Sequence, residues 1–231
     1  MKFLFFICLI TVLLSNGCTP LQKAKESSAH GDLMLIIDAG HGGEDGGAVA
    51  SDGTKESELN LSVAKKTEAI CGLLGYQSIM TRESEDINYP KSATTIRAKK
   101  VADQKARVEL INGTPNAVLL SIHQNIYPHS NPCGAQALFG KVNGSALFAE
   151  LIQNSIAENI DQENKRNAAK ISDDIYLMKK AQCPAVLVEC GFMSNPDELK
   201  KLKSPEYQTK LAAVFVAAYI QFLSETEDYY G

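Results

Sequence analysis

The chain has 231 residues, 45% of them hydrophobic, enough for one α/β domain with a sizeable core. A net charge of −4 gives no electrostatic case for nucleic acid as a partner. No internal repeat is visible, so repeat architectures are set aside.

Residues Met1 to Asn16 form a separate segment: Lys2, then the apolar run Phe3 to Leu14. That run is too short for a membrane span, which needs about 20 residues, and fits a secretory signal core. Ser15-Asn16-Gly17 leads to Cys18, similar to a lipoprotein signal in which the cysteine becomes the lipidated amino terminus. Leu14 lies one position too far upstream for that pattern, and Asn16 is bulky. Lipidation at Cys18, simple cleavage and an uncleaved anchor stay open, and all three put the domain outside the cytoplasmic membrane. The expected organisation is a signal or anchor at 1–18, a polar tether at 19–32 and one folded domain at 33–231. Cys71, Cys133, Cys183 and Cys190 are scattered without a Cys-x-x-Cys pair, which argues against a thiolate zinc site. They read as free thiols, with a Cys183–Cys190 disulfide left open.

Leu35-Ile36-Ile37 predicts a buried strand that runs into Asp38-Ala39-Gly40-His41-Gly42-Gly43. Ligands of open α/β sheets bind at the carboxyl ends of strands, and the glycines admit close approach to the ring. Three readings compete: a phosphate cradle, a tight turn with an incidental histidine, and a metal-binding or catalytic histidine. The first is weak. Asp45 stands where a dinucleotide fingerprint needs its third glycine, and no Gly-Lys-Ser/Thr follows.

A helix is expected from about Lys55 to Leu74, its apolar face marked by Leu59, Val63, Ile70 and Leu74. Glu56 stands at its start, where a carboxylate also suits the helix dipole. Tyr76 to Met80 reads as a strand. Thr94 to Asn112 reads as a helix whose charges, Arg97, Lys99, Lys100, Arg107 and Glu109, form a solvated face. Ala117 to Asn125 is another apolar strand with a histidine, His123, at its carboxyl end. His30 and His129 receive no role. Gly134 to Phe139 reads as a strand at the sheet edge, Ala146 to Asn159 as a helix, Asp161 to Asp174 as irregular and Ile175 to Met178 as a short strand. Ala185 to Val188 delivers Glu189 to a strand end, where an apolar surround tends to raise a carboxyl pKa. The bland reading is a glutamate paired with an arginine. A short helix follows Pro196, and Tyr207 to Leu223 closes the chain as an amphipathic helix.

One constellation covers these residues. His41, Glu56 and His123 can hold Zn2+ with a water in the fourth position, an established His-His-Glu set. Glu189 can then take the water's proton and pass it to the leaving nitrogen of an amide.

The motifs Asp38-Ala39-Gly40-His41-Gly42-Gly43, Lys55-Glu56-x-x-x-Asn60-Leu61, Ser121-Ile122-His123-Gln124-Asn125 and Leu187 to Asn195 resemble the four signatures of the zinc N-acetylmuramoyl-L-alanine amidases. They occur in the family's order, and the resemblance runs from about Met34 to Leu223. It implies cleavage of the amide between the muramic acid lactyl group and L-alanine in peptidoglycan, with zinc on His41, Glu56 and His123 and Glu189 as the catalytic residue. It also implies the fold: a single α/β domain whose mixed, mostly parallel sheet of about six strands is flanked by helices on both faces. Ala39 stands where the family usually has Pro, and Cys190 where Thr or Val is commoner; neither removes a ligand.

Within the family, Thr81-Arg82-Glu83-Ser84, Arg107 to Asn112, Gly134-Ala135-Gln136, Ile175-Tyr176-Leu177-Met178 and the single-domain build are most similar to the germination-specific, spore-cortex subgroup. That resemblance implies a first step towards muramic-δ-lactam, completed by a muramic acid deacetylase, in the cortex space of the forming spore. It also implies a lipoprotein activator. The alternative is a general vegetative autolysin. A non-catalytic wall-binding module and another zinc hydrolase such as a carboxypeptidase are weaker rivals, because all four site residues and all four motifs are present. The segment between His123 and Glu189 is too short for the inhibitory helix of some cell-division amidases, which implies an open cleft. Arg82 and Arg97 are candidate carboxylate partners of substrate, with solvated surface charges the simpler reading.

Overall fold

The computed structural model describes residues 33–128 and 132–230, with side chains as far as Thr226. The expected signal and tether, with Cys18, His30 and His129, lie outside these residues.

Strands β1 (Met34–Ala39), β2 (Ser78–Met80), β3 (Ala117–Asn125), β4 (Gln136–Phe139), β5 (Ala169–Lys170) and β6 (Ala185–Phe192) form a single sheet. Its order is β2-β1-β3-β6-β4-β5. The pairs β1–β2, β1–β3, β3–β6 and β4–β5 are parallel, and β4 runs antiparallel to β6. Apolar side chains on both faces of β1, β3 and β6 explain why these three are central. Leu35, Ile36, Ile37, Leu119, Leu120, Val186 and Val188 are all buried, as strands covered on both sides must be.

Helices α1 (Glu56–Leu73), α3 (Ser145–Asn159) and α6 (Pro205–Tyr230) cover one face. Val63, Phe148, Phe215, Tyr219 and Phe222 pack there against Leu35, Ile37 and Val186. Helices α2 (Ile96–Gly113) and α4 (Tyr176–Lys180) cover the other, where Ile111, Leu177 and Met178 meet Ile36, Leu119 and Leu187. The short helix α5 (Pro196–Leu202) follows β6. Among the described residues no helix is long and apolar enough to cross a membrane.

Two expectations are corrected. Ile175 to Met178 is not a strand: Tyr176–Lys180 is helical and turns Leu177 and Met178 onto the sheet. Four apolar residues in a row carry no period by which to choose. Nor is β4 an edge. Ala169–Lys170, inside the segment read as irregular, pairs outside it through Leu138↔Ala169 and Phe139↔Lys170. That strand is held by backbone bonds and has no apolar run to announce it. Cys183 and Cys190 are free thiols, not a disulfide, and so are Cys71 and Cys133. Burial pushes the Cys71 and Cys183 thiols up to about 11, so they stay protonated at neutral pH.

Candidate active site

Parallel pairing brings the carboxyl ends of β1, β3 and β6 to one sheet edge, and the functional side chains collect there. His41 lies just after β1, and His123 is near the end of β3. Glu189 lies on β6 directly opposite His123 in the strand register. Glu56 is the first residue of α1.

The backbone of the glycine loop is constrained. His41 itself has φ 61°, a left-handed conformation that costs free energy for a residue with a Cβ. Gly40 is required for a different reason: a Cβ there would overlap the His123 ring. Two buried guanidiniums hold the loop from beneath. Arg107 donates to the carbonyls of Ala39 (2.7 Å) and His41 (2.6 Å). Arg82 donates to those of Ala39 (2.9 Å), Gly40 (3.2 Å) and Ser57 (2.8 Å). Arg107 also pairs with buried Asp38 at 2.7 Å, and Asp38 accepts from Thr81 Oγ1 and Ser121 Oγ. Burial pushes the Asp38 carboxyl up, but Arg107 and the two hydroxyls outweigh it and hold the group below the usual carboxylate range. Arg82 and Arg107 are therefore not solvated charges, as read from sequence; Arg97 is exposed. The available signal was Asp38, a carboxylate in an otherwise apolar strand that demands a buried counter-charge.

Glu56 is 4% exposed. Its carboxylate does not cap its own helix. It accepts from Ala48 N (2.9 Å) and Gln124 N (3.1 Å), and bridges the two imidazoles. Oε2 lies 3.3 Å from His41 Nε2 and Oε1 lies 2.9 Å from His123 Nδ1. Burial opposes its charge, but His123 and His41 win and lower the Glu56 pKa to about 2. The same pairing raises His123 against its own burial. Asn60, one turn along α1, donates to both Gly40 O (3.0 Å) and Glu56 Oε1 (3.4 Å), tying loop to carboxylate. On the far side of the other ring, His41 Nδ1 lies 3.0 Å from Asp45 Oδ2.

Glu189 has a contrasting environment. Its Oε2 is buried and has no hydrogen-bond partner among the described residues, and no arginine pairs with it. Burial raises its pKa and the Glu56 charge adds to the rise, against the opposing pull of His123 and His41. Two carboxyls that both act on His123 are thus pushed in opposite directions, one kept ionised and one eased towards protonation, the pattern expected of a ligand and an acid–base group.

The donor set suits a divalent metal. Among the described residues His41, Glu56 and His123 each offer a ligand atom, and these atoms lie within 4.8 Å of one another. Two imidazoles and one carboxylate match a catalytic zinc site that keeps a position open. The Asp45 carboxylate behind His41 supplies the outer-shell contact that fixes ring orientation in such sites. Both rings keep about a fifth of their surface in solvent, 20% for His41 and 19% for His123. Between His123 and Glu189 the described chain is consumed by β4, α3, β5 and α4, all part of the sheet or packed on it.

Comparison with known proteins points the same way. The family model described as N-acetylmuramoyl-L-alanine amidase matches residues 35–221. The chain is 35% identical over 196 residues to the germination-specific N-acetylmuramoyl-L-alanine amidase of Bacillus subtilis (strain 168), covering 84% of this chain and 81% of the relative. It is 31% identical over 183 residues to the amidase LytC of the same strain, but spans only 33% of that longer protein. Among solved structures it is similar to the CwlD amidase of Clostridioides difficile in complex with the GerS lipoprotein. That similarity has a TM-score of 0.80 and 35% identity, and covers 84% of this chain and 99% of the neighbour.

Proposed function

The chain belongs to the N-acetylmuramoyl-L-alanine amidase family, and within it we propose that it cleaves the lactyl–L-alanine amide of spore-cortex peptidoglycan, as a first step towards muramic-δ-lactam. The site reading rests on one observation: His41, Glu56 and His123 converge within 4.8 Å, with Glu189 opposite His123 in the sheet.

His41, Glu56 and His123 would hold zinc. Zinc bound there supplies Lewis acidity, lowering the pKa of water and polarising the amide carbonyl. Glu189 does the proton work. As carboxylate it accepts the proton of the attacking water, and its raised pKa then suits it to donate that proton to the alanine nitrogen as the C–N bond breaks. Asp45 and Asn60 keep His41 and Glu56 in place. No covalent acyl-enzyme is needed, and the buried thiol of Cys190, pushed up by burial and by Glu189, takes no part.

Similarity over 81% of the germination-specific relative favours the cortex role over the vegetative autolysin, and the longer LytC is matched over only a third of its length. On the same grounds the chain works outside the cytoplasmic membrane on cortex glycan strands and stem peptides; lipidation at Cys18, simple cleavage and an uncleaved anchor are the three arrangements of its amino terminus that the sequence offers. The lipoprotein seen with the CwlD neighbour supports a lipoprotein activator here, and a muramic acid deacetylase acts on the product. Residues 33–231 form the catalytic domain. Muropeptide analysis of spores lacking this protein tests the role. Loss of muramic-δ-lactam is expected; a normal cortex with unseparated vegetative cells would favour the autolysin.

A further inference from the structure

The polar row that holds His123 and Glu189 does not stop at Glu189. Gln136 of β4 stands opposite Glu189 in the antiparallel β4–β6 register, so the three side chains share one sheet face at neighbouring strand positions. Beyond Gln136 comes Arg166, from the connection between α3 and β5. Its Nη1 donates to Gln136 Oε1 at 3.2 Å and its Nε to Cys133 O at 2.9 Å. Its guanidinium carbon lies over the Phe192 ring, 4.8 Å from the centroid. The cation is thus immobilised by two hydrogen bonds and an aromatic face. Yet among the described residues no carboxylate pairs with it. The other arginines that hold the site, Arg82 and Arg107, are both matched by acids. All members of the row, His123, Glu189, Gln136 and Arg166, are partly exposed, so a ligand can reach along it.

A preoriented guanidinium with no acid of its own fits a carboxylate on the ligand. The leaving side of this substrate carries one. After L-alanine the stem peptide continues with D-glutamate joined through its side-chain carboxyl, which leaves the α-carboxylate free. Adjacent strands are about 4.8 Å apart, and successive residues of an extended chain about 3.8 Å apart. A stem peptide running from a scissile amide at Glu189 along the row past Gln136 would bring the next residue's carboxylate within reach of Arg166. We propose that Arg166 binds the α-carboxylate of the second stem-peptide residue, held in place by Gln136 and Phe192, and makes the enzyme prefer the acid over its amide. This rests on the active site described above.

The test is steady-state kinetics on two soluble muramoyl peptides, one with D-glutamate and one with its α-amide, D-isoglutamine. Charge-assisted hydrogen bonds of this kind are worth about 1.5–3 kcal/mol, so Arg166→Ala should shrink the wild-type preference for the acidic substrate roughly tenfold or more, mainly through KM. Arg166→Lys keeps the charge and should restore part of that preference. Inhibition by the product L-Ala-γ-D-Glu should weaken in Arg166→Ala in the same proportion. An unchanged acid-to-amide ratio in Arg166→Ala, with equal losses on both substrates, would overturn the proposal and leave Arg166 a loop anchor. Glu189→Ala, run alongside, reports on the site itself: it removes turnover of both substrates whatever Arg166 does.

Discussion

At the scale of single residues, the proposed division of labour between Glu56 and Glu189 is a matter of surroundings. Both are glutamates beside His123, but Glu56 is saturated with donors, whereas Glu189 keeps one buried oxygen unpartnered. Replacing Glu189 with Gln should lower kcat by about 10²–10⁴-fold while bound zinc stays stoichiometric; near-normal turnover would remove its acid–base role. Asp38 and Arg107 make a second pair with a measurable signature. Arg107→Ala strands a buried carboxylate and should cost about 3–5 kcal/mol in denaturant unfolding. The native Asp38 carboxyl is held low, so its stabilisation is present above the ordinary carboxyl range and lost as pH falls through the native value. Asp38→Asn should therefore flatten the acid side of the stability–pH curve, and an unchanged acid limb would contradict the pairing. The candidates His41 and Glu56 were legible in the sequence because they stand just after a strand and at a helix start, and His123 and Glu189 because each breaks an apolar strand run, although β6 continues past Glu189 to Phe192. Arg107 and Arg166 were not. One sat among helix surface charges and the other in a segment without periodicity, and only packing gives them buried or stacked partners.

At the scale of elements, the glycine loop and the turn after β6 decide the geometry. Gly40 has no ligand role, yet Gly40→Ala should lower zinc affinity, because the added Cβ would push the His123 imidazole aside. Metal content after dialysis against a weak chelator would show this, and a variant with wild-type zinc would mean that the ring can shift without loss. On the other flank, Asn195 caps α5 by accepting from Asp197 N and Glu198 N. Glu198 in turn accepts from Gly134 N and Phe192 N, both at 2.8 Å. Asn195→Ala should cost about 1 kcal/mol of stability, as caps do, read from a shift in the denaturation midpoint. A loss near zero would mean that Pro196 at the first turn suffices. Strands with long apolar runs and helices with clear periods were readable in advance. The two-residue β5 and the helix at Tyr176 were not, because their identity comes from the neighbour they meet rather than from a local pattern.

For the molecule as a whole, the three proposed metal donors come from the β1 loop, the start of α1 and the end of β3, so their convergence exists only in the folded state. Zinc should therefore raise the melting temperature and a strong chelator lower it, with about 2.7 kcal/mol of added stability at a hundredfold excess over Kd. A melting curve indifferent to both would count against a metal on these residues. The amino-acid order by itself determined most of the strand and helix plan, the four motifs and the candidate site residues, because these depend on local patterning and residue type. Tertiary structure alone decided which strand stands beside which, why two arginines are buried beneath His41, and that Gln136 and Arg166 extend the row from Glu189. Those facts come from contacts between segments tens of residues apart, where strand register and desolvation select partners that no local run of residues records.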